Sequence, residues 1–221
     1  MERELRVLRP ELLAGLDVVL SGTGVATAHA EERGQSCIAS VLRDLGADVR
    51  HLEMDPLDDD AVTAAAQALD RATVLVCDAG AAMRAASAAG AASEPGAAET
   101  ASNPTDGLRA AVEGAWTATR AVVNAHLAPA GFGKVVLVAP RPCDGPDAAA
   151  AGAAFENLAR TTGVEWARLG IRVVAVRPRD ITSDEALAQC VAYLASPAGD
   201  YFSGCVLDLG AAGLSSSPPA A

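Results

Sequence analysis

Side chains able to move protons, ligate metals or attack electrophiles are few and far apart in this 221-residue chain. Its three histidines, His29, His51 and His126, fall on separate stretches with neither metal-ligand nor triad spacing. The five cysteines, Cys37, Cys77, Cys143, Cys190 and Cys205, form no C-x-x-C pair. An odd, scattered set reads as free thiols in a reducing cytosol, not as a disulfide framework or a metal site. One local concentration of reactive types remains, RPCDGPD, which holds Arg141, Cys143, Asp144 and Asp147. A carboxyl group there with a raised pKa could serve as a general acid. The plainer reading is a solvated acidic loop, with Cys143, far from any histidine, an inert thiol.

The elements that must carry these residues alternate. Strands are predicted at 17–20 (DVVL), 48–55 (DVRHLEMD), 73–80 (TVLVCDAG), 134–140 (KVVLVAP), 171–176 and 205–209 (CVLDL). Helices are predicted over 37–45, from about 58 to 70, over 108–127, up to 169 and over 184–195. The Ala/Ser/Gly-rich stretch 81–107, with Pro95 and Pro104, reads as loop. Strand–helix alternation implies an α/β fold with a single Rossmann-like, doubly wound parallel sheet. Ligands of such sheets sit beyond the carboxyl ends of the strands. Those ends are 21–24, 55–56, 77–80, 139–141 and 177–180.

Half the residues are apolar but only 3% are aromatic, which suits closely packed helices on a sheet. A formal charge of −11, from 28 acidic and 17 basic residues, argues against nucleic acid and anionic membrane surfaces as partners. Met1–Pro10 has no apolar leader core, and no run approaches the ~18 apolar residues of a membrane span, so a cytoplasmic location is expected. The expected organisation is an extension over 1–15, one domain over 16–213, and a disordered tail over 214–221.

Four features together resemble the short-chain dehydrogenase/reductase family. They are Asp55 before an acidic helix start, VLVCDAG (74–80), FENLARTTGVEWARLGIRVVAVRP (155–178) and VAYLASPAGDYFSGCVLDLGAAG (191–213). The resemblance spans Leu16 to Gly213. It implies a fold that binds NAD(H) or NADP(H) and a tetrad of Asn, Ser, Tyr and Lys, in which Tyr donates a proton and Lys lowers its pKa. Placed on this chain, those four positions hold Ala111, Ala139, Ala148 and Gly152, none of which can transfer a proton. The resemblance therefore implies a degenerate, tetrad-less member: a pseudoenzyme with no catalytic residue and no metal.

The nucleotide site implied by the resemblance is depleted as well. Gly22 and Gly24 remain after the first strand, but Ala26, Thr27 and Ala28 follow, then the charges of Glu31 and Glu32. Gly22 and Gly24 read as a strand-ending turn, and Asp55 equally as a helix cap or as a retained ligand contact. The family's two asparagines before Ala79 and Gly80 are replaced by Cys77 and Asp78, a carboxylate set against phosphates. One strand–helix unit is missing before Asp55, and no substrate lid follows Pro178. No cofactor is expected, with Gly22, Gly24, Asp55, Ala79 and Gly80 vestigial.

The segments best preserved are those the family uses to pair subunits, here helices 147–169 and 184–195 and strand 204–210. Ala148–Ala154 offers a small-residue face; Leu187, Val191, Tyr193 and Leu194, with Cys205, Val206, Leu207 and Leu209, offer a second. The expected role is a non-catalytic oligomeric subunit, pairing with itself or with an active NAD(P)-dependent partner of the family, such as one acting on an acyl thioester. The alternatives are an oxidoreductase with a non-standard site that does bind NAD(H) or NADP(H), and a ligand-binding regulatory module.

Overall fold

The computed structural model describes residues 8–22, 37–52, 57–91 and 106–210, with backbone alone over 87–91. Apolar runs of β-branched residues produce the strands, since such runs are satisfied only in a sheet covered on both faces. The strands are β1 (Asp17–Ser21), β2 (Asp48–His51), β3 (Val74–Asp78), β4 (Gly133–Val138), β5 (Ile171–Arg177) and β6 (Cys205–Asp208). They form one six-stranded sheet, wholly parallel, in the order β2-β1-β3-β4-β5-β6. The inner four are almost entirely buried, whereas β2 and β6 are half-buried edges.

Helices cover both faces: α1 (Cys37–Asp44), α2 (Asp59–Ala68), α3 (Ala79–Ala91), α4 (Asp106–Val122), α5 (Ala128–Ala130), α6 (Ala148–Glu165) and α7 (Asp184–Ala195). Alternating strand residues feed two cores. On one face Val18, Leu20, Val76, Val136 and Val174 meet Ile38 and Leu42 of α1 and Leu187, Val191 and Leu194 of α7. On the other Val19, Leu75, Val135, Leu137 and Val173 meet α2, α4 and α6, with Phe155 fully buried at the centre.

The reversal of strand order lies between β1 and β3. Among the described residues only β2 lies beyond β1, in keeping with a sheet trimmed near its second strand. Two predicted boundaries move. β2 ends at His51, and 53–56 lie outside the described residues. The stretch read as loop from 81 is helical: α3 runs from Ala79 to Ala91, and α4 begins at Asp106. Alanine favours helix even where periodicity is weak, and Asp78 Oδ1 accepts from the Ala81 N–H at 3.0 Å, satisfying one orphan donor of the first turn. A π-helical turn, Val123–Leu127, follows α4 and places His126 Nε2 2.8 Å from the Ala66 carbonyl oxygen.

At the amino end of the sheet, Lys134 Nζ donates to the carbonyls of Leu194 and Ala195, at 3.4 and 3.1 Å, and to that of Ser196. It also pairs with Asp200 at 2.6 Å. One cation thus closes the carboxyl end of α7. Burial pulls its pKa below the usual lysine range.

Candidate functional site

The carboxyl ends of β1 and β3 almost touch. Gly22 has φ +98°, and a Cβ there would overlap the Asp78 carbonyl oxygen. Gly22 is therefore explained by the approach of two strand ends, without any ligand. Gly24, Asp55 and His29 lie outside the described residues. The helix cap assigned to Asp55 belongs instead to Asp58, whose Oδ1 accepts from the Ala61 N–H at 3.0 Å.

Above Gly80 lies a charged cluster. Arg84 Nη1 donates to Asp144 Oδ1 at 2.7 Å, and Asp144 Oδ2 accepts from the Arg141 N–H at 2.8 Å. A Cβ on Gly80 would sit 2.7 Å from Asp144 Oδ2, 3.0 Å from Arg84 Nη1 and 3.4 Å from Asp78 Oδ1. Asp144 is not solvated, contrary to the loop reading: its side chain is 5% exposed. Burial raises the Asp78 pKa above the usual carboxylate range, against the lowering pull of the Ala81 N–H and Arg84. Asp147 stands at the start of α6 and makes no side-chain capping bond.

The four residues that the resemblance sets at tetrad positions are all buried. Ala139 follows β4, Ala148 opens α6, Gly152 lies one turn further on, and Ala111 packs into the core from the middle of α4. Ala148 and Gly152 line a cavity of about 500 Å³, with Pro140, Pro146, Arg177 and Arg179 among the other walls. A Cβ on Gly152 would lie 3.6 Å from Arg177 Nε, so a guanidinium stands beside the position where the resemblance places a lysine. Arg177 Nη2 donates to Glu156 Oε2 at 2.7 Å, and Arg179 grips Asp208 with Nε and Nη2 at 3.0 and 2.5 Å. Those bonds hold Asp208 ionised, with its pKa below the usual range, chiefly through Arg179.

Neither Cys77 nor Cys143 is set up as a nucleophile. Cys77 is fully enclosed, and its pKa is pushed up to about 12, mainly by burial. Cys143 is exposed, yet its hydrogen bond with Asp180 raises its pKa, opposite to the shift a nucleophile needs. His51 Nε2 lies 3.2 Å from Arg43 Nη2, on the far strand β2. Among the described residues no group of three His, Cys, Asp or Glu could hold a metal ion, and no helix is long and apolar enough to cross a membrane.

The two candidate pairing surfaces differ. On α6, Ala149, Ala150, Ala153, Asn157, Thr161 and Val164 are exposed, Val164 at 77%. Beside them Trp116 of α4 stacks on Trp166, ring centroids 6.4 Å apart. On α7, Leu187, Val191 and Leu194 are spent on the chain's own core, leaving Tyr193, edge-on to Phe202, on the surface. Strand β6 is the last strand of the sheet among the described residues, and it is half-buried. Sequence reasoning missed Arg84, Arg177, Arg179, Glu156 and Asp208. The one signal for them was VRPRD, two arginines at the carboxyl end of a strand.

No protein-family model matches this chain, and no curated protein matches its sequence significantly. Solved structures do match its fold. A citronellol catabolism dehydrogenase (AtuB) of Pseudomonas aeruginosa PAO1 is 21% identical, with a TM-score of 0.67 over 91% of this chain and 96% of that one. A gluconate 5-dehydrogenase of Burkholderia cenocepacia J2315, solved with NADP and tartrate, is 18% identical, with a TM-score of 0.64 over 89% and 94%. An NAD(P)-dependent gluconate 5-dehydrogenase assigned in Beutenbergia cavernae, with bound NADP, is 21% identical, with a TM-score of 0.65 over 90% and 97%. At these identities the shared property is the fold.

Proposed function

We propose that this chain is a short-chain dehydrogenase/reductase that has lost its chemistry and serves as a non-catalytic subunit of an active, NAD(P)-dependent member of that family. One observation carries the reading. The cavity where the proton donor would stand is walled by Pro, Ala and Gly and by two guanidinium groups. Guanidinium remains protonated in proteins, so neither arginine can serve as general acid. The roughly 10²–10⁴-fold contribution of a general acid has no source among these walls.

The same region argues against a dinucleotide. Over Gly80 the space is taken by Asp144, Arg84 and Asp78 of the chain itself, and two of these three are carboxylates. The cofactor's phosphates would meet like charge there, so the described residues do not fit NAD(P), and no hydride step is assigned to this chain. What remains well formed is the framework. The exposed small-residue face of α6, the stacked Trp116 and Trp166 beside it and the position of β6 at the end of the described sheet support pairing through α6 and β6. The α7 face contributes Tyr193.

Co-expression with intact short-chain dehydrogenases of the same genome tests this. The expected outcome is a stoichiometric complex on size exclusion, lost on Val164→Arg, whose partner retains its activity and gains thermal stability. Saturable micromolar binding of NADH or NADPH to the isolated chain, with turnover, would refute it.

A further inference from the structure

We propose that the cavity between the β4 and β5 loops and the start of α6 binds a small monocarboxylic acid with an apolar body. The cavity holds about 500 Å³, within the range of small-molecule sites, and opens where ligands of doubly wound sheets bind. Its walls are selective by composition. Pro140, Pro142, Pro146 and Pro178, with small residues of α6, supply apolar surface, and among the described residues no side-chain hydroxyl, amide or carboxylate lines it. A polyol or sugar acid would find few side-chain partners for its hydroxyls there, while its carbon chain would gain less from the apolar walls than an alkyl or aryl body does.

The charged groups on the walls are Arg177 and Arg179, each fastened from behind. Asp208 takes Nε and Nη2 of Arg179, which leaves the Nη1 hydrogens for another acceptor. Glu156 takes Nη2 of Arg177, whose Nη1 lies 3.8 Å from Asp208, beyond hydrogen-bond reach, and whose Nε faces Gly152. Arg160 also pairs with Glu156 at 2.7 Å, so Arg177 shares that carboxylate with a second guanidinium. Among the described walls the charged side chains are both cationic, which suits an anion. Guanidinium groups held in place by such pairs present a preorganised fork to a carboxylate.

The test uses the isolated chain, and its outcome does not depend on subunit pairing. Hexanoate and benzoate are titrated by calorimetry, beside hexanamide and benzamide as uncharged isosteres, gluconate, and inorganic phosphate. Saturable one-to-one binding of an acid is expected, with its amide at least about tenfold weaker. Arg179→Gln should weaken the acid by at least about tenfold. So should Ala149→Phe, which fills the cavity from an exposed helix position and leaves the core alone. Absence of saturable binding by both acids, amides that bind as well, variants that bind like wild type, or gluconate or phosphate binding as tightly would each overturn the proposal. Circular dichroism confirms that both variants are folded before they are compared.

Discussion

Replacing Arg84 by alanine removes the cation that closes the crevice above Gly80. Asp144, 5% exposed, then keeps the Arg141 N–H as a donor but loses the guanidinium at 2.7 Å. Breaking a fully buried pair costs about 3–5 kcal/mol, and an exposed pair is worth about 0–1 kcal/mol. Arg84 is itself 50% exposed, so the loss is screened to about 2 kcal/mol. For a chain of this size that corresponds to a fall in Tm of about 4–8 °C. The double variant Arg84→Ala, Asp144→Asn should recover much of the loss, with a coupling of about 1.5 kcal/mol in urea denaturation. The deficit also has a direction with pH. Burial already raises the Asp78 pKa and Arg84 lowers it, so without Arg84 it rises further. A raised folded-state pKa means that the folded variant binds protons the unfolded chain has released. The deficit is therefore full at neutral pH and shrinks as pH falls through the raised pKa toward the ordinary carboxylate range. A cost below about 0.5 kcal/mol, or additive single effects, would show that the cluster is ordinary surface and does not obstruct the crevice.

Gly22→Ala combines a positive φ with overlap on the Asp78 carbonyl, and should lose about 3 kcal/mol. Gly131→Ala, at φ +71° with open space around it, is the control and should lose only about 1 kcal/mol; equal losses would contradict the strand-end contact. Asp208→Asn should flatten the acid limb of stability. The folded pKa of Asp208 is depressed by Arg179, so its contribution is present above the ordinary carboxylate pKa and disappears as pH falls through the folded value. Acid titration followed by circular dichroism should find the variant and wild type converging at low pH, and convergence at neutral pH instead would count against the pair.

The strand–helix alternation could be read before any coordinate because its physics is local. DVVL, VLVCD and IRVVAV are β-branched and apolar on both faces, and α7 runs over 184–195 as its spacing predicts. The helix at 79–91 was missed because alanine carries little periodic signal, while its start is capped by Asp78, a residue first weighed only for its charge. That Ala139, Ala148 and Gly152 carry no ionisable group is legible in the chain itself. What fills the neighbourhood is not. Arg84 meets Asp144 across 60 residues and Arg179 meets Asp208 across 29, and no local pattern announces such pairings. The solvated-loop reading of Asp144 failed for the same reason.

Lys134, tied to three consecutive carbonyls and to Asp200, lies at the opposite rim of the sheet from the cavity. In this architecture the least replaceable residues ordinarily gather where substrates arrive. Here one many-partnered side chain anchors the underside, while the cavity at the upper rim is walled largely with methyl groups and proline rings. The consequence is a divided map of mutational tolerance. Wall positions such as Ala149 and Ala153 can change at little risk to the fold, whereas Gly22 and the Arg84–Asp144 pair at the same rim, and Lys134 at the base, are held by their contacts.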